Sequence, residues 1–199
     1  MFTKEDFSFI ADTVTVSGAV AAVMDYDLMP AVRMERIVDQ VRRATRWLIQ
    51  NAGNHGGDAA RLSVSGHSAG GHLASFTFTG GEQAIAPKSA FLLSGLFDLK
   101  PLQSSFLEPL IGLTNEEVRA FSPLNMLHLA GPRITIACGE EETPPFKQQA
   151  AAFRHHLATQ GCEAASVILP GANHMTAVRD MGIPESTAGI LLRRTIEQS

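Results

Sequence analysis

Cysteine is scarce in this chain. The only two in 199 residues, Cys138 and Cys162, are too few and too apolar in setting for a disulfide framework. No Cys/His spacing of the zinc-binding kind occurs, so no metal site is expected. Basic charge is also short. Sixteen Lys and Arg against 20 Asp and Glu give a net charge of −4, which leaves no patch able to neutralise phosphates and excludes a nucleic-acid partner. Arg33, Arg36, Arg42, Arg43 and Arg46 do cluster, but Glu35 and Asp39 interleave with them at helical spacing, as on a solvated helix face. No apolar run is long enough to span a bilayer, and the start from Met1 to Asp6 has the pattern of neither a signal nor a transit peptide. The expectation is a cytoplasmic protein with no membrane partner. Repeats and low-complexity linkers are absent. A composition 45% hydrophobic and 18% charged suits one domain with a substantial core.

What is present is an alternation of helical and short apolar patterns. Thr3 and Asp6 form a capping-box-like start to a helix through Phe7, Ile10 and Val14 towards Gly18. The run from Ala19 to Met24 reads as a buried strand. Pro30 opens a long helix with Val32, Ile37, Val38, Val41, Trp47 and Leu48 at helical spacing, ending near Asn51 to Gly53. Strands are predicted at Arg61–Ser65, Ala90–Leu93, Ile134–Cys138 and Val167–Leu169. Helices are predicted at about Ala69–Thr77, Phe146–Gln160 and Glu185–Ile196. The stretch 95–132 holds Pro101, Pro109 and Pro123 and is too broken for one regular element. This order implies one α/β domain over residues 1–199, with a mainly parallel sheet covered by helices on both faces. Reactive groups then belong in loops at the carboxyl ends of the strands.

Gly66-His67-Ser68-Ala69-Gly70 follows a predicted strand and precedes a predicted helix. That is the setting of a nucleophile elbow, in which small neighbours let the backbone turn sharply and expose a serine at a helix amino end. The Ala69 N–H is then a donor to an oxyanion. A serine hydroxyl needs a base, and the base an orienting carboxylate, here in the chain order serine, acid, histidine. His174 lies just after the strand ending at Leu169. His55, His67, His72, His128, His155 and His156 are placed less well for the role. The acid should follow the strand ending at Cys138, where Glu140, Glu141 and Glu142 are the candidates, Glu142 favoured. His55-Gly56-Gly57 has the look of an oxyanion loop but lies at the amino end of the sheet, so it reads as a helix-to-strand turn.

These residues resemble the kynurenine formamidase (arylformamidase) and esterase-like branch of the α/β hydrolases. The matching pieces are residues 4–11, Asp25-Tyr26-Asp27-Leu28, residues 64–73 with their GHSAGGHL core, Ser94-Gly95-Leu96-Phe97-Asp98-Leu99 with Pro101-Leu102, and Ser122-Pro123. The resemblance implies an α/β-hydrolase fold and hydrolysis of a formamide or ester of a small aromatic, N-formylkynurenine-like substrate through an acyl-serine. It implies no cofactor, and it makes 95–132 a small cap over the pocket. The family's acid is usually Asp, and aligning residues 139–146 puts Glu142 at its place. The substrate-binding residues are not identified, and a homodimer is left open.

One departure stands out. The family carries an HGGxW-type loop, preceded by a strand, upstream of the position where this sequence begins. A fold lacking the first strands and that loop is therefore expected, as in an amino-terminally truncated version of a longer hydrolase. Activity would be impaired, since losing one oxyanion donor costs about a hundred- to a thousandfold. A short-chain carboxylesterase is the alternative within enzymes. An inactive or binding-only hydrolase-like fragment is the alternative outside them.

Overall fold

Four short apolar runs become four parallel strands in the computed structural model, which describes residues 3–80 and 84–199. They are β1 (Ser63–His67), β2 (Ser89–Leu93), β3 (Arg133–Gly139) and β4 (Ala164–Leu169), side by side in chain order. The register runs Val64 to Ala90, Ala90 to Ile134 and Ile134 to Ala164. Nine helices accompany them among the described residues: α1 (Lys4–Phe7), α2 (Ile10–Val16), α3 (Met34–Asn51), α4 (Ala69–Ser75), α5 (Glu108–Ile111), α6 (Asn115–Phe121), α7 (Pro144–Thr159), α8 (His174–Asp180) and α9 (Thr187–Glu197).

The middle of the sheet is apolar on both faces because it is covered on both. Ala90, Phe91, Leu92 and Leu93 of β2 are all 0% exposed. Ala90 and Leu92 pack with Ile134, Ile136 and Cys138 of β3 against Phe153 and Leu157 of α7. Phe91, Leu93 and Ala137 face the other way, onto Val178 of α8 and Leu192 and Ile196 of α9. This two-residue alternation explains why the strands read as continuous apolar runs rather than as half-polar ones. Phe153 also stacks on Phe97 with ring centroids 4.0 Å apart, so emptying its site would cost about 3–5 kcal/mol.

A third apolar cluster is built by α3. Met34, Ile37, Val38 and Val41 are buried at helical spacing and meet Leu73 and Phe76 beside α4, with Leu99, Leu113 and Val118 from the 95–132 stretch. The basic face of α3 is only partly free in water. Arg43 pairs with Asp39 at 2.8 Å, but Arg33 binds Glu117 and the Gly112 carbonyl, and Arg42 lies over the Phe76 ring. The stretch 95–132 resolves into α5, α6 and short 3-10 turns at Lys100–Ser104 and Pro123–Asn125.

Three expectations need correction. Residues 19–24 form no strand. They have no regular secondary structure, since among the described residues no strand pairs with them, and a strand exists only through its ladder. Side-chain packing holds them instead, with Ala19 against the α9 cluster and Met24 against the α3 cluster. The first helix is broken at Ser8 and Phe9, where the Ser8 hydroxyl donates to the Glu5 carbonyl and competes with helix continuation. The long third helix starts at Met34 rather than Pro30, after an extended Arg33. His55-Gly56-Gly57 does turn the chain after α3, with Gly56 left-handed (φ 76°), well before β1.

Candidate active site

Each of the four strands ends by delivering one polar side chain to the same end of the sheet. After β1 comes Ser68, with φ 55° and ψ −118°, a conformation an L-residue adopts only under constraint. Its N–H donates to the Leu93 carbonyl at 2.9 Å and its carbonyl accepts from His72 N–H, so the elbow is tied both to the sheet and to α4. The turn is tight enough that a Cβ on Gly66 would lie 2.2 Å from the Gly70 carbonyl oxygen. A Cβ on Gly71 would lie 3.1 Å from the Gly95 Cα. Ala69 is the first residue of α4, where backbone N–H groups have no intrahelical acceptor.

After β2 comes Ser94, also left-handed at φ 51°, with its N–H on the Ala137 carbonyl at 2.7 Å. After β3 come Gly139 and the three glutamates, which the turn separates. Glu140 is exposed and accepts from the Gly171 N–H. Glu141 is exposed. Glu142 folds inward, its side chain 0% accessible. Its Oε1 accepts from the Gly139 N–H at 2.9 Å and from the Ser94 hydroxyl, and its Oε2 lies 3.0 Å from His174 Nδ1. Burial alone would raise the Glu142 carboxyl, but the hydrogen bonds from His174, Ser94 and Gly139 outweigh it and hold the group below its ordinary range.

After β4 comes His174, which opens α8 rather than lying in a loop. Asn173 caps this helix, its Oδ1 accepting from the N–H groups of Met175 and Thr176 at 3.0 and 2.9 Å. Two rings lie against the imidazole, His67 at 4.3 Å and Phe146 at 4.6 Å between centroids. Its side chain keeps 31% of its surface open, so one edge is pinned and the group is still reachable. His67 is pushed down to about 4 by burial and by the neighbouring His174, which leaves it neutral near pH 7.

The site thus joins Glu142 to His174 directly and sets the ring of His67, the residue before Ser68, against the imidazole. Among the described residues, Ser68 Oγ makes no hydrogen bond to His174, whose Nδ1 is taken by Glu142. Four residues gain a place here that the sequence did not give them: His67 and Ser94, read there only as members of their motifs, Phe146, read only as the end of the 139–146 segment, and Asn173, whose capping pattern with Thr176 was the available signal. Two open concavities of 490 and 370 Å³ flank α3, and neither is lined by Ser68, Glu142 or His174.

The chain is 28% identical over 189 residues to kynurenine formamidase of Salmo salar, an alignment covering 90% of this chain and 63% of that protein. It is 24% identical over 201 residues to esterase LipQ of Mycobacterium tuberculosis, covering 87% of this chain and 48% of that one. The chain therefore spans less than two thirds of the length of these relatives. A candidate thioesterase structure from Silicibacter sp. superposes with a TM-score of 0.83 at 26% identity, over 99% of this chain and 71% of the other. An esterase of Pyrobaculum calidifontis, at 19% identity and a TM-score of 0.80, shares the fold over 98% of this chain and 72% of its own. Residues 3–178 match the alpha/beta hydrolase fold family, and the chain belongs to it.

Proposed function

We propose that this chain is an acyl hydrolase in which Ser68 is the nucleophile, His174 its base and Glu142 the group that orients the base. The observation that carries the reading is the Glu142–His174 hydrogen bond, made by a fully buried carboxylate beside a serine held in elbow geometry. As Ser68 Oγ attacks the acyl carbon, its proton passes to His174, and the imidazolium is stabilised by Glu142. The tetrahedral oxyanion is met by the Ala69 N–H. His174 then protonates the departing amine or alcohol as its bond to the acyl carbon breaks. Water, deprotonated by the same imidazole, releases the acid from the serine. Glu140 and Glu141 take no part.

The substrate we infer is a formamide or ester of a small aromatic molecule, N-formylkynurenine-like, by similarity to the formamidases. Short-chain carboxylesterase activity is the second reading, favoured by the similarity to esterase LipQ and sharing every catalytic residue. In both, the 95–132 stretch acts as a cap that shapes the pocket. The test is hydrolysis of N-formylkynurenine and phenyl acetate by the chain beside its Ser68→Ala variant. Turnover that disappears with Ser68 supports the mechanism, and the preferred substrate selects between the readings. Turnover retained by Ser68→Ala, or none from the folded wild-type chain, overturns it.

A further inference from the structure

We propose that Ser94 is a positioning residue: by donating its hydroxyl to Glu142 Oε1 it turns Oε2 towards His174 Nδ1. The catalytic meaning of this contact rests on the triad reading above; the contact itself does not.

Three features of Ser94 converge. Its backbone is left-handed at φ 51°, where glycine would be unstrained and a serine costs on the order of 1 kcal/mol. The position is 1% exposed, so its hydroxyl must find a partner inside the protein or leave a buried polar group unmet. That partner is Glu142. The turn alone would be better served by glycine, and what serine adds is a hydroxymethyl group whose hydroxyl reaches Glu142.

The carboxylate shows why the addition matters. Oε1 receives two donors, Ser94 Oγ and the Gly139 N–H, from the ends of two adjacent strands. Both bonds hold the carboxylate in place, and the other oxygen, Oε2, lies 3.0 Å from His174 Nδ1, its one hydrogen-bond partner among the described residues. With Ser94 removed, the Gly139 N–H alone leaves the carboxylate free to pivot, and the imidazole loses its fixed tautomer. A second effect has a sign. Withdrawing a donor concentrates charge on the carboxylate, so the Glu142–His174 pair holds its proton to higher pH. The other titratable groups facing this carboxylate are His67, at the end of β1, and Cys138 on β3; Lys147 of α7 lies near Cys138.

The experiment compares wild type with Ser94→Gly, which suits the left-handed backbone and deletes the hydroxymethyl side chain that carries the donor. Ser94→Cys, nearly isosteric and a weak donor, and Ser68→Ala are measured alongside. Two readouts are taken: the low-field NMR resonance of the His174 Nδ1 proton, and the pH profile of phenyl acetate hydrolysis. The resonance is expected in wild type and in Ser68→Ala and lost in Ser94→Gly. In that variant kcat falls roughly ten- to a hundredfold with KM within about twofold, and the acid limb of kcat/KM moves to higher pH. Ser94→Cys falls between. Should Ser94→Gly not fold, the same losses in smaller degree in Ser94→Cys carry the test. A wild-type resonance, rate and acid limb in the folded variant would overturn the proposal. Failure of the hydrolase reading looks different: Ser68→Ala stays active or wild type is inert, while the resonance still decides the role of Ser94.

Discussion

Glu142 Oε2 stands 3.0 Å from His174 Nδ1, and the carboxylate that makes this contact is wholly shielded from solvent. Its neighbours Glu140 and Glu141 are exposed, two residues of one acidic run having gone outward where the third went in. Replacing Glu142 by Gln keeps the shape and removes the charge that, in the proposed mechanism, holds the imidazole in its working tautomer. The expected loss in kcat is about four orders of magnitude, by analogy with the equivalent change in serine proteases. Glu140→Gln and Glu141→Gln are expected to stay within about twofold of wild type. Steady-state kinetics on the three variants check the register, and a large loss at Glu140 or Glu141 would move the acid.

The strands and the elbow were legible because their signals are local. A continuous apolar run such as 90–93, or Gly-x-Ser-x-Gly between strand and helix, needs little beyond its own residues to be read. The choice among three consecutive glutamates was not legible to the same degree, since it depends on which way a turn after β3 faces. That direction is set by Gly139, where a Cβ would lie 2.1 Å from the Ala172 carbonyl oxygen on the neighbouring loop. Residues 19–24 show the converse: their composition is that of a strand, but pairing is a property of two segments, and among the described residues none lies alongside. Ser94 could not be found from spacing, because its partner is 48 residues away in the chain.

The two outer glycines of the elbow motif make unequal demands. A Cβ at Gly66 would meet the Gly70 carbonyl at 2.2 Å, a backbone atom that cannot move aside, whereas a Cβ at Gly70 meets nothing within 4 Å. Gly66→Ala is therefore expected to destabilise the protein by roughly 2–4 kcal/mol through strain at the turn. Gly70→Ala, inside α4, should be neutral or stabilising by up to about 1 kcal/mol. Thermal denaturation of the pair checks the asymmetry. Equal Tm values would show that the turn is looser than its geometry.

Asn173 links the stability of α8 to the placement of His174. Its side chain accepts from the N–H groups of both Met175 and Thr176, and His174 is the first residue of the helix so capped. Asn173→Ala should cost about 1 kcal/mol of stability. It should also lower kcat more than it raises KM, because the imidazole loses its fixed base. Asn173→Asp, which caps equally well, should restore both. Loss of stability with kcat unchanged would separate the cap from the site.

Buried histidines give the protein a stability that depends on pH in a definite direction. Burial pushes His67, His72 and His128 down to about 4 from an ordinary 6.5. His72, as a neutral ring, donates Nε2–H to the Phe121 carbonyl at 2.8 Å. His128 lies beside His156 and near the Met126 carbonyl, yet neither of its ring nitrogens makes a well-formed hydrogen bond among the described residues. Between pH 6.5 and 4 the unfolded chain binds protons that the folded chain refuses, so stability is fully present above 6.5 and drains away as pH falls through the window. The slope is roughly 1.4 kcal/mol per pH unit for each such group as an upper bound. Glu117 and Glu142, held below their ordinary 4.5, add their own losses only at lower pH. Denaturant midpoints at pH 7 and pH 5 should therefore differ clearly in wild type and by less in His128→Phe, which removes one titrating ring and its two unmet nitrogens. That variant should also be the more stable protein at pH 5, by on the order of 1–2 kcal/mol. An unchanged difference between the two pH values in His128→Phe would mean that His128 takes up a proton without unfolding the protein.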